Sequence, residues 1–108
     1  MEYTVRLTEY ATEQIRETVA YISRFLLEPV IARAWSDALK KEIYGLDRMP
    51  ARFPLVEIEP WKTLGFRKMS VKNHMVYYFV EENTVWVTAV VYGKRDQLNA
   101  LREMPIER

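Results

Sequence analysis

Apolar residues in the first half of the chain recur every three or four positions, the spacing that places them on one face of an α-helix. The pattern predicts one helix from Glu9 to about Leu27 and a second from about Pro29 to Asp47. Pro29 suits a first helical position and disfavours helical backbone in the residue before it, so it separates the two helices. Helices joined this closely should form an antiparallel hairpin.

Each predicted helix has one apolar stripe, which identifies the side that faces a core. In the first helix the stripe consists of Ala11, Ile15, Val19, Ile22 and Leu26. In the second helix it consists of Ile31, Trp35, Leu39, Ile43 and Leu46. Both stripes need a common partner, and the rest of the chain supplies it as a sheet.

Alternating or continuous short apolar runs predict four strands. Tyr3–Leu7 precedes the first helix, and a proline-containing loop, Met49–Pro60, follows the second. The remaining strands are Phe66–Val71, His74–Val80 and Val85–Val91. Because the turns between these three are short, they must pair as antiparallel neighbours.

These elements combine into a single α+β domain over residues 1–108, in the order β-α-α-β-β-β. The helical hairpin packs on one face of a small, mainly antiparallel sheet. A short helix, Gln97–Met104, is predicted to follow, with Asp96 as its N-terminal cap and Pro105 as its stop. We expect the other face of the sheet to be left free for function.

The amino-acid composition excludes several kinds of functional site. The chain has no cysteine, one histidine and three isolated glycines, which excludes a disulfide scaffold and a Gly-rich phosphate loop. His74 alone cannot build an imidazole metal site, and a surface or turn-packing role is favoured over catalysis. We therefore predict no metal and no cofactor.

The N-terminal residues and the longest apolar run indicate the cellular compartment that we expect. The N-terminus lacks a basic start, an apolar run and a small-residue cleavage site, so no signal peptide is predicted. The longest apolar run, Met75–Val80, is far short of a membrane span. We expect a cytoplasmic protein with no membrane partner.

Charge is distributed unevenly although the net charge is only +1. Between Trp61 and Val80 there is no carboxylate, and the four basic residues are Lys62, Arg67, Lys68 and Lys72. Such a stretch fits a phosphate-facing surface, but a solvated strand edge has the same pattern.

Several motifs of the C-terminal half occur in a recognisable order. The run is GFRKMSVKNHMVYYFVEENTVWVTAVVYGKRD. A strand with the basic pair of Phe66-Arg67-Lys68 enters the tight turn Lys72-Asn73, two apolar strands follow, and the loop Gly93-Lys94-Arg95-Asp96 ends the run. Together with the preceding strand and helical hairpin, this arrangement resembles the RelE/ParE superfamily of toxins from type II toxin–antitoxin systems.

The resemblance implies a small toxin with one of two targets. RelE-like members are mRNA endonucleases that cut in the ribosomal decoding site, whereas ParE-like members poison DNA gyrase. Both are silenced by a cognate antitoxin that wraps over the toxin. The implied partners are therefore an antitoxin and ribosome-bound mRNA, with DNA gyrase as the alternative target.

For the ribonuclease interpretation, the resemblance implies that Arg67, Lys68 and Arg95 are catalytic, without a metal. Attack by a ribose 2′-hydroxyl builds negative charge on phosphoryl oxygens, which cations stabilise, and a lysine set among cations can accept a proton. Arg95 would stabilise the phosphate, and Arg67 and Lys68 would position substrate or transfer protons. The implied RNA-contacting residues are Lys72, Lys94 and Trp61, the last by base stacking.

Two departures from the superfamily pattern favour the gyrase alternative. The ribonucleases usually have an arginine in the strand after the turn, where this chain has His74-Met75. They often have a C-terminal tyrosine or histidine, where this chain has Leu98 and Leu101. A gyrase inhibitor needs no catalytic residue. Ordinary packing remains the alternative for Trp61, and the edge of the core is the alternative for Arg67.

Overall fold

A four-stranded sheet carries the fold in the computed structural model, which describes residues 2–93 and 96–105. The strands are β1 (Thr4–Leu7), β2 (Arg67–Val71), β3 (His74–Glu81) and β4 (Thr84–Tyr92). They lie in the order β1-β4-β3-β2. The last three form the predicted antiparallel meander, and β1 pairs with β4 in parallel. The α+β fold with a mainly antiparallel sheet is thereby confirmed.

The turn between β2 and β3 fixes the far end of the meander. Both of its residues, Lys72 and Asn73, have positive φ angles of 48° and 67°, as a two-residue hairpin turn of the type I′ class requires. The backbone N–H of Gly93 donates to the carbonyl of Asn73 at 2.7 Å. The end of β4 is therefore held beside this turn.

Three helices surround the sheet: α1 (Glu9–Ala20), α2 (Pro29–Tyr44) and α3 (Gln97–Glu103). Thr8 caps α1, since its hydroxyl accepts from the N–H of Ala11 at 3.2 Å. Asp96 occupies the same position before α3, but its side chain makes no capping hydrogen bond. Its predicted capping role is therefore wrong. Among the described residues, no helix is long and apolar enough to cross a bilayer.

Both hairpin helices are shorter than predicted. A π-helical turn, Tyr21–Phe25, follows α1, and Leu27 then adopts a left-handed φ of 51°, which reverses the chain before α2 begins. A 3₁₀ turn, Gly45–Asp47, follows α2. Apolar spacing cannot distinguish these turns from α-helix, because side chains three to five residues apart share a side in each.

The helical hairpin covers one face of the sheet, which we call the hairpin face. The core there is formed by buried side chains of α1, α2 and the strands. Its principal members are Ala11, Ile15, Leu39, Ile43, Met69, Val76, Tyr78, Val85 and Val87. Leu26 and Ile31 were predicted for the same core but are 51% and 55% exposed. They lie at the end of the hairpin, where the π-helical turn contacts mainly α1 and α2.

The other face, which we call the α3 face, is not free, so that expectation is wrong. A second core of buried residues covers it, drawn from the sheet, from the segment 56–61 and from the region of α3. Its members are Val56, Met75, Tyr77, Ala89, Leu101 and Met104. Consecutive residues of β3, such as Met75 and Val76, are both apolar, and residues on both faces of such a strand require cover.

Candidate functional site

Arg67 and Lys68 are neighbours in β2 and lie on opposite faces of the sheet. Arg67 shares the hairpin face with Met69, which belongs to the hairpin core. Side chains alternate along a strand, so Lys68 lies on the α3 face with Phe66, which packs against the second core. The structure therefore does not bring the two predicted catalytic residues together.

The guanidinium of Arg67 is engaged by the loop after α2. Its Nη1 donates to the carbonyl of Phe53 at 2.7 Å and to the carbonyl of Ala51 at 3.2 Å. Across the sheet Arg67 pairs with Tyr78, whose hydroxyl donates to the carbonyl of Pro50. Arg67 and Tyr78 together fasten the loop to the sheet.

The phenol of Tyr78 is held in its neutral form. Burial raises the pKa of Tyr78 to about 12, although the nearby guanidinium groups of Arg67 and Arg52 lower it. A phenol with this pKa stays protonated near neutral pH, and its proton is already donated to a backbone carbonyl. Tyr78 is therefore structural rather than a proton acceptor.

Lys68 lies beside a second buried tyrosine. It pairs across the sheet with Tyr77, which is 1% exposed and whose pKa is raised by burial. The backbone N–H of Lys68 donates to the carbonyl of Pro54 at 3.1 Å, which ties this part of the edge strand to the loop. The arrangement pairs a half-exposed cation with a phenol that substrate cannot reach.

The predicted RNA-contacting residues are spread along β2. Trp61 is half-buried against the second core and lines a pocket of about 330 Å³ with Leu64 and Phe66, near the start of β2. Lys72 is exposed in the turn at the end of β2. A strand rises about 3.3 Å per residue, so a five-residue strand separates them. Lys94 and Arg95 lie outside the described residues.

His74 packs against the turn between β2 and β3, which is one of the two roles predicted for it. It is 4% exposed, its Nδ1 lies 3.0 Å from the carbonyl oxygen of Lys72, and its ring lies 4.8 Å from Trp35 and 5.3 Å from Tyr92. The surface role is wrong. Residues 2–93 and 96–105 contain no cluster of three or more histidine, aspartate or glutamate residues suited to a metal.

Sequence inspection missed an exposed apolar surface at the end of the helical hairpin. Phe25, Leu27 and Val30 are 79%, 78% and 80% exposed, and none of them belongs to the predicted core stripes. Apolar residues outside a helix's core-facing stripe were the signal that could have revealed this surface.

The fold is shared with solved structures of toxins. The chromosomal ParDE toxin–antitoxin system of Pseudomonas aeruginosa aligns with a TM-score of 0.72 at 10% identity, covering 86% of this chain and 98% of that chain. The RelBE2 toxin–antitoxin complex of Mycobacterium tuberculosis aligns with a TM-score of 0.60 at 21% identity, covering 85% and 99%. A mutant of Escherichia coli RelE in the free state gives 0.61 at 16% identity, covering 93% of each chain. The likeness defines the chain as a RelE/ParE-like fold.

A match to the sequence model of a single toxin family identifies the family of this chain within that fold. The model of the ParE toxin of the type II toxin–antitoxin system parDE matches residues 5–97. The chain therefore belongs to the ParE toxin family of type II toxin–antitoxin systems. No match is found among curated protein sequences. The resemblance to the RelE/ParE superfamily is confirmed.

Proposed function

We propose that this toxin acts by binding, as a ParE-like inhibitor of DNA gyrase, and that it does not cut mRNA. The observation that carries the proposal is the placement of Arg67 and Lys68 on opposite faces of β2. Catalysis of phosphoryl transfer requires donors that converge on one phosphate. The Nη1 group of Arg67 instead donates to the carbonyls of Ala51 and Phe53.

The two tyrosines that pair with Arg67 and Lys68 across the sheet support the same proposal. Tyr77 and Tyr78 are buried, and burial raises the pKa of each. Neither can exchange a proton with a substrate on the surface. A toxin that works by binding needs no such group, and the match to the ParE toxin family agrees with that mode of action.

A cognate antitoxin is the second proposed partner. Type II systems pair a toxin with an antitoxin protein, and the Pseudomonas aeruginosa and Mycobacterium tuberculosis neighbours are described as such systems. We expect a protein antitoxin for this chain as well. Copurification with this chain would identify the antitoxin and give the stoichiometry of the complex.

The mRNA endonuclease is retained as the second candidate because one observation favours it. The contact between Gly93 and Asn73 brings the start of the Gly93-Lys94-Arg95-Asp96 loop to the turn that contains Lys72. In this alternative Arg95 stabilises the phosphate, and Arg67 and Lys68 position the substrate or transfer a proton. Lys72, Lys94 and Trp61 then contact RNA.

Inducible expression in a bacterium tests the two candidates together. Chromosomal breaks and DNA-damage signalling are measured in parallel with primer extension on translated mRNA. The proposal predicts breaks with intact mRNA. Cuts inside translated mRNA that disappear in Arg95→Ala, with an unbroken chromosome, would establish the endonuclease and refute the proposal.

A further inference from the structure

One edge of the sheet is uncovered. β1 is an outer strand in the order β1-β4-β3-β2, and among residues 2–93 and 96–105 no strand lies on its outer side. The opposite edge, β2, is covered by the loop after α2, because the N–H of Lys68 donates to the carbonyl of Pro54 at 3.1 Å. An uncovered edge presents unpaired N–H and C=O groups to which another extended chain can bond. The outer side of β1 is therefore a candidate binding surface.

The hydrogen bonds on the two sides of β1 show which residues face outward. The N–H of Thr4 donates at 2.8 Å to the residue that precedes β4. Backbone groups of successive residues point to opposite sides of a strand, so Val5 and Leu7 direct theirs away from β4. Tyr3 agrees with this direction, since its N–H donates to the carbonyl of Asp47 at 2.8 Å. Asp47 ends a 3₁₀ turn, and beyond it no described residue bonds to the outward backbone groups of Val5 and Leu7.

A pocket of about 560 Å³ adjoins this edge on the hairpin face. It lies between α1 and α2 and includes Leu7 of β1. Above an apolar floor it has two cations and three hydroxyl groups, and among the described residues no carboxylate lines it. These polar side chains are Thr12, Arg16, Ser36, Lys40 and Tyr44. Ammonium, guanidinium and hydroxyl groups all donate hydrogen bonds, so the pocket suits a negatively charged acceptor.

Lys40 is the cation that remains for a partner. The guanidinium of Arg16 is paired with the carboxylate of Glu13 at 2.7 Å, which offsets the charge of Arg16. Lys40 is exposed, and the ion pairs formed among the described residues do not include it. A carboxylate that enters the pocket therefore gains an ion pair with Lys40 without displacing an existing one.

We propose that the outer side of β1 binds an extended, acidic segment of the antitoxin, which adds a fifth strand to the sheet. The antitoxin as the source of the segment rests on the function proposed above, whereas the chemistry of the segment does not. Backbone hydrogen bonds to Val5 and Leu7 supply affinity, and alternate side chains supply specificity. Side chains paired across a sheet share a face, and those of Val5 and Leu7 pack on the hairpin face. An acidic side chain opposite Leu7 therefore points towards the pocket that contains Lys40.

A short labelled peptide that alternates threonine and glutamate tests the pocket on the purified full chain. Fluorescence anisotropy measures its dissociation constant. Lys40→Glu is expected to weaken binding at least about tenfold, because repulsion replaces a charged hydrogen bond. Lys41→Glu is the matched control, since Lys41 is also exposed in α2 but does not line the pocket. This control should bind within about twofold of the unmodified chain, because solvent and salt screen its charge.

Methylation of the peptide's backbone tests the added strand separately. Alternate N–H groups of an extended chain point to opposite sides, so one set faces β1 and the other faces solvent. One peptide is methylated at every glutamate nitrogen and another at every threonine nitrogen. Their affinities should differ at least about tenfold, because only one of them loses hydrogen bonds to the edge. Equal affinities, whether kept or lost, would contradict strand addition.

The remaining outcomes separate this inference from the function on which it rests. No binding of the peptide at the highest attainable concentration, or binding that Lys40→Glu leaves unchanged, would overturn the assignment of the edge. In the copurified toxin–antitoxin complex the edge is occupied, so the peptide should not bind. A complex that binds the peptide as well as the free chain does would exclude the antitoxin as the occupant. A free chain that dimerises, and loses its dimer when the peptide binds, would assign the edge to a second copy instead. Absence of any copurifying protein would refute the proposed antitoxin, whereas peptide binding by the free chain would still support the acidic-strand site.

Discussion

Arg67 illustrates how a residue's surroundings, rather than its type, decide its role. The sequence places it in a basic pair within a stretch that has no carboxylate, a pattern that fits a phosphate-facing surface. Its guanidinium instead spans two carbonyls of the loop, at Ala51 and Phe53. Arginine suits this position because its planar group presents several donors in a fixed geometry.

Replacing Arg67 should therefore change stability. Arg67→Ala removes two hydrogen bonds from a charged donor, and a loss of about 1–2 kcal/mol in the free energy of unfolding is expected for a partly exposed site. Urea denaturation measures it. Arg102→Ala, at an exposed position of α3, is the control and should change the value by less than about 0.5 kcal/mol. Equal stability of the two variants would contradict the structural role.

The raised pKa of Tyr78 leads us to expect a loss of stability at alkaline pH. Its pKa is about 12 in the folded chain because of burial, compared with about 10 in an unfolded chain. Because the folded value is the higher one, the stabilisation is fully present below about pH 10 and is lost as the pH rises through about 12. Tyr78→Phe should have a shallower decline over this interval. Denaturant titrations at successive pH values measure both, and identical slopes would refute the assignment.

At the scale of elements, the apolar periodicity was sufficient to predict the helical hairpin and the three-stranded meander. It could not predict the π-helical turn after α1, because side chains three to five residues apart lie on one side in a π-helical turn as they do in an α-helix. The second core on the α3 face was not predicted from the sequence for a different reason. The segment 56–61 has no regular spacing, and its packing against Tyr77 and Leu101 depends on tertiary contacts alone.

The candidate site was predictable to a smaller extent than the fold. Strand alternation alone indicates that Arg67 and Lys68 point in opposite directions. The hydrogen bonds of Arg67 were not predictable, because their acceptors are backbone carbonyls in a loop. Carbonyl groups are present at every residue, so the sequence contains no signal that selects Ala51 and Phe53.

The packing of α3 on the sheet gives a prediction with an internal control. Leu101 is 1% exposed in the second core, whereas Leu98 in the same helix is 39% exposed. Leu101→Ala should lower the free energy of unfolding by about 2–4 kcal/mol, the usual cost of truncating a buried leucine. Leu98→Ala should cost less than about 1 kcal/mol. Similar costs in urea denaturation would show that α3 does not cover the sheet as described.

At the scale of the whole molecule, both faces of the sheet are covered, and a prominent exposed apolar surface lies at the end of the helical hairpin, at Phe25, Leu27 and Val30. Such a design resembles a protein that acts through its surfaces more than one that encloses a substrate. The proposed action on gyrase and the expected antitoxin each require a surface. Neither of them requires a catalytic residue.

The most direct measurement is the supercoiling of relaxed plasmid DNA by purified gyrase in the presence of the purified chain, without ribosomes. Inhibition that increases with the concentration of the toxin is expected. A translation reaction containing ribosomes and mRNA is run beside it with the same preparation. Undiminished supercoiling, together with cleaved mRNA in the translation reaction, would contradict the inhibition of gyrase and restore Arg95 and Lys68 as catalytic candidates.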